Sequence, residues 1–98
     1  MKNTKEKEFV VVRGPPGVFA GYLAKENGKE VEMTDCFCLW KYSGAASLNQ
    51  LALEGVKNVS DCKFSVSVSR MRLKDIFQVI TCTPEAKKNL LGVPRWKV

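Results

Sequence analysis

The amino-acid sequence predicts an α+β domain, a small antiparallel β-sheet or open barrel of about five strands with one inserted helix and a short C-terminal helix. Short apolar runs bounded by glycine, proline and asparagine recur from Phe9 onward, which is typical of antiparallel strands. After Tyr42 the apolar residues take a helical spacing, and a proline-led helix start follows Thr83. The 98 residues suffice for one hydrophobic core, so we expect a single domain over 9–98 behind a charged, flexible tail over 1–8.

The first two strands are predicted on either side of a tight connection. The run Phe9–Val12 is continuously apolar, which indicates a strand covered on both faces. The segment 14–17 then reads Gly-Pro-Pro-Gly, as at the beginning of a phosphate-binding loop. Such a loop needs a lysine and a hydroxyl residue directly after its last glycine, and Val18 and Phe19 stand there instead. The sequence therefore excludes a P-loop nucleotidase and predicts a turn.

The second strand, about 18–25, leads into a hairpin turn at Glu26-Asn27-Gly28. The loop contains either Asn27 and Gly28 alone, or three residues with Gly28 in the left-handed region. We favour the three-residue loop, which places Leu23 opposite Val31, because it collects the apolar side chains on one face of the hairpin. That face comprises Phe19, Leu23, Val31, Met33, Phe37 and Leu39. The other face comprises Tyr22, Glu30, Glu32, Thr34 and Trp40.

Two short helices are predicted from their capping signals. Ser47 and Gln50 form a capping box, and Gly55 marks the end of the inserted helix. Thr83 is the cap of the C-terminal helix, with proline at its first position, and Gly92 ends it.

The remaining strands lie between the helices. Phe64, Val66 and Val68 alternate with serines, so we expect them to share a face directed at the core. After Ser69 the apolar residues shift to the other set of alternating positions, Met71 and Leu73, which predicts a bulge or bend there. A last strand is predicted over 76–82.

The net charge of +6 is concentrated in the C-terminal third. Residues 62–98 contain eight lysines and arginines but only Asp75 and Glu85 as acids, whereas charges in residues 1–61 cancel. This excess would steer an anionic partner towards the C-terminal third, although the same charge also serves solubility.

The inventory of reactive residues argues against an enzyme and against a metal or organic cofactor. The chain has no histidine, which excludes histidine-based acid–base chemistry. Its four cysteines form no C-x-x-C pair and lie in apolar strand patterns, so we expect reduced, structural cysteines and no zinc site. Glu30 and Glu32 share a strand face, but the lysines nearby indicate a solvated hairpin rather than a catalytic pair.

Two groups of residues are candidates for ligand binding. Arg70, Arg72 and Lys74 would project from one strand face at about 7 Å intervals, a spacing comparable to successive phosphates. Trp40 and Tyr42 would share a strand face on which a base can stack. The alternatives are an edge strand protected by charge and a tryptophan that covers the sheet.

Several segments together resemble a family of small, uncharacterised proteins of tailed bacteriophages and prophages, over nearly all of residues 9–98. The most specific segment is Gly44–Lys57, and Cys36–Cys38 departs from the more basic or aromatic residues of that family. The other segments are Gly17–Leu23, Leu39-Trp40, Cys62–Phe64, Cys82-Thr83, Glu85-Ala86 and Trp96–Val98. The resemblance implies a viral origin and a host-cytoplasm setting, without a chemistry. The hairpin from Phe19 to Asp35 is also similar to that of Sm-like barrels.

These observations favour a non-enzymatic accessory protein of a phage that acts by binding. It would sequester an anionic nucleotide signal of host defence or block a host protein. The alternative is a small nucleic-acid-binding, Sm-like module. In both, the Arg70–Lys74 row would meet phosphate while Trp40 or Tyr42 stacks on a base. We expect no membrane partner. The sequence does not determine the number of subunits, so both a monomer and a homo-oligomer are compatible with it.

Overall fold

Six strands form one mostly antiparallel open sheet with two helices in the computed structural model, which describes residues 7–96. The predicted α+β class is thereby confirmed. Most of the predicted tail over 1–8, together with Lys97 and Val98, lies outside the described residues. The strands are β1 Phe9–Gly14, β2 Gly17–Asn27, β3 Glu30–Lys41, β4 Lys63–Phe64, β5 Val68–Leu73 and β6 Gln78–Thr81. The helices are α1 Leu48–Glu54 and α2 Pro84–Leu91, and a 3₁₀ turn spans Val59–Asp61.

The long strand β3 organises the sheet. The strand order is β4-β3-β2-β1-β6, and β5 also pairs with β3. Strand β5 pairs with β3 over Val31–Cys36, whereas β4 pairs with its end at Leu39 and Lys41. Two partners therefore share one edge of β3, one along each half of the strand.

Both faces of the sheet carry a core. Strand β1 supplies side chains to both in alternation, and all four residues of Phe9–Val12 are buried, as predicted for a strand covered on two faces. The core under the helices contains Phe9, Val11, Ala20, Phe37, Leu39, Leu48, Leu51, Val56, Phe64, Leu90 and Val93. The opposite core contains Val10, Val12, Phe19, Val31, Met33, Cys36, Leu73 and Ile76.

The hairpin turn differs from the predicted three-residue loop. Asn27 pairs with Glu30, so the loop is Gly28-Lys29, and Gly28 has a φ of 61°. A glycine with positive φ at the first of two loop positions is the pattern of a type II′ turn, which matches the twist of the strands. The later position of this loop moves the partner of Leu23 along β3, away from the predicted Val31. A register shift between Leu23 and Lys25 adds one residue to β2, and Leu23 therefore lies opposite Met33.

A second irregularity separates Phe37 and Leu39 from the face predicted for them. Ala20 pairs with Phe37 and Tyr22 with Thr34, so Asp35 and Cys36 together oppose the single residue Gly21. Asp35 has a φ of 48°, the left-handed conformation that allows the extra residue. The bulge reverses the alternation of β3. Phe37 and Leu39 therefore enter the core under the helices, whereas Phe19, Leu23, Val31 and Met33 remain together in the opposite core.

The prediction that Val66 and Val68 face the core is wrong. Their exposed fractions are 46% and 41%, and β4 ends at Phe64. The reason is Ser65, whose backbone N–H donates to the carbonyl of Cys38 (2.9 Å) and whose Oγ accepts from the N–H of Cys38 (2.8 Å). These bonds let the chain leave β4 and cross to the other half of β3. The bend thus lies directly after β4, earlier than predicted.

Both helices begin and end at the predicted residues. The Ser47 Oγ accepts from the N–H of Gln50 (3.1 Å), and Gly55 is the C-cap of α1. The Thr83 Oγ1 accepts from the N–H of Ala86 (3.0 Å), and Gly92 is the C-cap of α2. The last strand, β6, is shorter than the predicted range 76–82.

Candidate ligand-binding surface

Two tryptophans and a lysine form an exposed cluster, here called the aromatic platform: Trp40, Lys63 and Trp96. The two indole rings stack with centroids 5.2 Å apart and an interplanar angle of 23°. The Nζ of Lys63 lies 5.3 Å from the Trp40 ring centroid and 5.1 Å from that of Trp96. Trp40 is 63% exposed and Trp96 is 50% exposed. Large aromatic side chains with this exposure are typical of binding surfaces.

Three adjacent chain segments hold the platform in place. Trp40 is a bulged residue of β3, since Leu39 pairs with Phe64 and Lys41 with Lys63. Trp96 is attached to the other side of β4, where its backbone N–H donates to the carbonyl of Phe64 (2.8 Å). Leu39 and Phe64 are buried, so the platform rests on a rigid part of the core.

Lys63 is available to an anionic ligand. The salt bridges formed by residues 7–96 are Lys57–Glu54 and Arg70–Glu32, so no described carboxylate pairs with the Lys63 ammonium. Its described partners are the two indole faces, which attract a cation through the ring quadrupole. A phosphate on the platform would therefore meet an ammonium that no carboxylate of residues 7–96 neutralises.

A groove beside Trp96 extends the platform. It has a volume of about 540 Å³ and is lined by Val59, Ser60, Cys62, Pro94, Arg95 and Trp96. The Arg95 guanidinium lies 3.8 Å from the ring centroid of buried Phe37. Its Nη1 is buried and has no hydrogen-bond partner within residues 7–96, so aromatic faces take the place of a carboxylate. This burial lowers the pKa of Arg95 below its ordinary value.

Arg70 and Arg72, two of the predicted phosphate contacts, lie together on the exposed side of β5. Arg70 pairs in register with Thr34 and Arg72 with Glu32, while Met71 and Leu73 pack against the core. The Nε of Arg70 donates to the Oε2 of Glu32 at 2.7 Å. This hydrogen bond is the main reason why the pKa of the Glu32 carboxyl lies below its ordinary value. Arg70 is thus already engaged by a carboxylate, which weakens it as a phosphate contact.

The remaining predicted residues do not join these two groups. Lys74 is exposed beyond the end of β5. Tyr42 packs partly buried against the core under the helices, whereas Trp40 is exposed. The bulge at Trp40 accounts for this difference, because it interrupts the alternation that would place Trp40 and Tyr42 on one face.

The structure separates Trp40 from the arginines. Thr34 and Glu32, the register partners of Arg70 and Arg72, precede Trp40 by six and eight residues on β3. At the rise of a strand this corresponds to roughly 20–26 Å along β3. One small ligand therefore cannot stack on Trp40 and contact Arg70 at the same time.

The cysteines are free thiols packed in or beside the two cores. Burial raises the pKa of Cys36 to about 12 and that of Cys82 to about 11, and it also raises the pKa of Cys38. Within the described part of the chain, no three cysteine or acidic side chains are grouped as metal ligands.

Sequence reasoning missed Lys63 and the pairing of the two tryptophans. Trp40 was a candidate because it was expected to share a strand face with Tyr42, and Trp96 was not among the candidate binding residues. The signal that could have joined them is the composition itself, because these are the only two tryptophans in the chain. Their contact depends on the position of residues 95–96 beside β4, which no local pattern specifies.

Comparison with known proteins gives one match. The model of the DUF6948 family, described as a domain of unknown function, matches residues 6–90. No curated protein and no solved structure matches the chain. Over the described residues, neither helix is long and apolar enough to cross a membrane.

Proposed function

This chain belongs to the DUF6948 family, and we propose that it acts by binding a ligand with an aromatic base and a phosphate on the aromatic platform. The ligand is a nucleotide, either free or as part of a single strand of nucleic acid. The observation that supports this proposal is the exposed stack of Trp40 and Trp96 with the Lys63 ammonium over both rings.

The platform matches the chemistry of a nucleotide. An exposed indole face stacks on any base, and each such contact is worth about 1–3 kcal/mol in single-strand binding proteins. The ammonium of Lys63 supplies a charge-assisted contact for phosphate, and the groove beside Trp96 has room for the sugar. Sequestration by such a surface is a stoichiometric function that needs no catalytic group.

Intrinsic tryptophan fluorescence tests the proposal directly, because the platform contains both tryptophans of the chain. We expect mononucleotides or single-stranded oligonucleotides to change the emission of the wild-type protein. The substitutions Trp40→Ala and Trp96→Ala should each weaken binding about 5- to 150-fold, the equivalent of one lost stacking contact. Binding by these variants is followed with a fluorescently labelled oligonucleotide.

Matched controls are available elsewhere on the surface. Phe77 is 63% exposed, like Trp40, so Phe77→Ala removes an equally exposed aromatic ring. Lys87 lies 5.0 Å from the Tyr22 ring centroid, so Lys87→Ala removes another lysine over an aromatic ring. Both variants should bind as the wild type does. The proposal would be wrong if no nucleotide or oligonucleotide bound, or if the controls lost as much affinity as the platform variants.

Salt dependence distinguishes a strand from a free nucleotide. A strand held through several phosphates should lose affinity steeply as ionic strength rises, whereas a mononucleotide should lose much less. The slope of the logarithm of the binding constant against the logarithm of salt concentration measures the number of phosphate contacts. For an oligonucleotide, Lys63→Ala should reduce the magnitude of this slope by about one, the effect of removing one phosphate contact. A shallow slope together with tight mononucleotide binding would identify the free nucleotide as the ligand.

The biological setting that we propose is a bacterial cytoplasm during phage infection, where the protein would remove a nucleotide signal of host defence. The resemblance to small phage and prophage proteins supports this setting. Expression of the wild-type chain should then raise the plaque count of a phage on a host with nucleotide-based defence, and Trp40→Ala should abolish the gain. Equal plaque counts with and without the protein would contradict the setting while leaving nucleotide binding intact.

A further inference from the structure

Within residues 7–96 the sheet has three edge strands, which differ in whether their outer backbone groups are covered or protected by charge. Strand β4 is covered by the C-terminal segment, since Phe64 forms a parallel bridge with Arg95. Strand β5 carries Arg70 and Arg72, and charges on an edge discourage pairing with another strand. Strand β6 pairs with β1 on one side, and no described strand pairs with its other side.

The edge formed by β6 is short but lacks protecting charges and prolines. The segment Ile76–Thr83 reads Ile-Phe-Gln-Val-Ile-Thr-Cys-Thr and contains no charge, proline or glycine, although 27% of the chain is charged. Phe77, directly before β6, is 63% exposed. An uncharged edge that is rich in β-branched residues is a site of pairing with another strand.

The hydrogen-bond pattern shows which backbone groups are available. The N–H of Cys82 donates to the carbonyl of Phe9 at 2.9 Å. Backbone groups alternate in direction along an antiparallel strand, so Ile80 and Cys82 bond towards β1. Val79 and Thr81 therefore direct their N–H and C=O groups away from the sheet.

We propose that β6 pairs antiparallel with β6 of a second copy of this chain, forming a symmetric dimer. Residues whose backbone groups point outward must face one another, so Val79 lies opposite the partner's Thr81 and Ile80 lies on the twofold axis. Every Val79 and Thr81 N–H then gains a carbonyl acceptor, and the two subunits form one continuous β-sheet.

The distribution of charge identifies a second copy as the occupant. Pairing β6 with itself brings no like charges together, whereas pairing β5 with itself would place Arg70 and Arg72 against the same residues of the partner. Pairing β5 with β6 of another copy is a head-to-tail contact, which closes only as a ring of several subunits and otherwise continues as an open chain. Glu26 and Lys29, which flank the groove at Phe77 and Val79, are of opposite sign and largely cancel. The β6–β6 arrangement closes with two subunits and brings no like charges together.

Light scattering and amide hydrogen exchange together test the dimer. Because an edge of this length buries less than a standard interface, we expect a weak dimer with a dissociation constant on the order of 100 µM. The exchange of the Val79 and Thr81 amides should slow as the protein concentration rises, while the Ile80 and Cys82 amides stay protected at every concentration. Thr81→Lys should weaken the dimer at least about tenfold, because it places two lysines beside the axis. Val66→Lys, which adds the same charge at a position 46% exposed and outside the strands, should dimerise as the wild type does.

Other results would overturn the proposal. A protein that stays monomeric at all concentrations would show that β6 does not pair with a second copy. A dimer that forms equally well in Thr81→Lys, or whose formation alters tryptophan emission and is lost in Trp40→Ala, would assign the interface to the aromatic platform. If Thr81→Lys does not fold, the concentration dependence of Val79 and Thr81 exchange in the wild-type protein decides alone.

Discussion

At the scale of single residues, Arg95 shows how a cation can be held without a carboxylate. Its guanidinium lies over Phe37 and within 5.8 Å of the Phe64 ring centroid. Two aromatic faces thus lie where a carboxylate would otherwise pair with the half-buried guanidinium, whose Nη1 is buried. Lys63 uses the same interaction at the surface, so a half-buried cation, Arg95, lies beside the accessible cation of the platform.

The ion pair between Arg70 and Glu32 should make the stability of the fold depend on pH. The pKa of Glu32 lies below its ordinary value, so the pair stabilises the fold above the ordinary pKa of a glutamate, and this stabilisation is lost as the pH falls through the lowered pKa. In Arg70→Ala the Glu32 pKa should return towards its ordinary value, as measured by an NMR titration of the carboxyl carbon.

Arg72→Ala is the matched control, because Arg72 contributes least of the groups that lower the Glu32 pKa. It should move the Glu32 titration much less than Arg70→Ala does. Identical titrations in the wild type and in Arg70→Ala would show that the 2.7 Å hydrogen bond is absent in solution.

At the scale of elements, the bulge in β3 decides which core each half of the strand serves. It requires a glycine in β2, because a Cβ on Gly21 would lie 2.9 Å from the Cα of Cys36 and 3.0 Å from the carbonyl of Thr34. Both neighbours are backbone atoms, which cannot move aside without shifting the strand.

We therefore expect Gly21→Ala to destabilise the protein by about 1–3 kcal/mol, the usual cost of forcing a methyl group into a packed site. Denaturation with urea measures the change. Gly92→Ala is the control, because its nearest neighbours would be 3.4 Å away and its φ of −85° suits alanine. Equal stability of Gly21→Ala and the wild type would contradict the bulge at Asp35.

At the scale of the whole molecule, the two groups of candidate binding residues lie apart along β3. The separation of roughly 20–26 Å exceeds twice the Debye length of about 8 Å at physiological ionic strength. The charge of Arg70 and Arg72 therefore has little influence at the platform, even though Lys63 and both arginines belong to the basic C-terminal third of the sequence.

The double substitution Arg70→Ala with Arg72→Ala should accordingly leave mononucleotide binding to the platform unchanged at physiological salt. Titration followed by tryptophan emission provides the measurement, with Trp96→Ala, followed by a labelled nucleotide, as the variant that loses binding. A loss of more than about fivefold in the double variant would instead mean that arginines and tryptophans act on one ligand, which the geometry of β3 does not allow.

The local signals of the sequence were sufficient for the fold class and the helix boundaries. Serine, threonine and proline at the helix starts act through bonds to residues three positions away, so Ser47 and Thr83 could be identified as caps without any tertiary knowledge. The continuous apolar run Phe9–Val12 likewise indicated burial on two faces.

The register of the hairpin and the composition of the platform were decided only by the tertiary structure. Asp35 has a left-handed φ at the bulge where β3 passes from one core to the other, and β4, β5 and the helices supply the rest of these cores. Trp40, Lys63 and Trp96 are far apart in sequence and meet because residues 95–96 run beside β4. Local patterns therefore determined which elements form, whereas packing between distant segments determined where each side chain points and which of them could share a ligand.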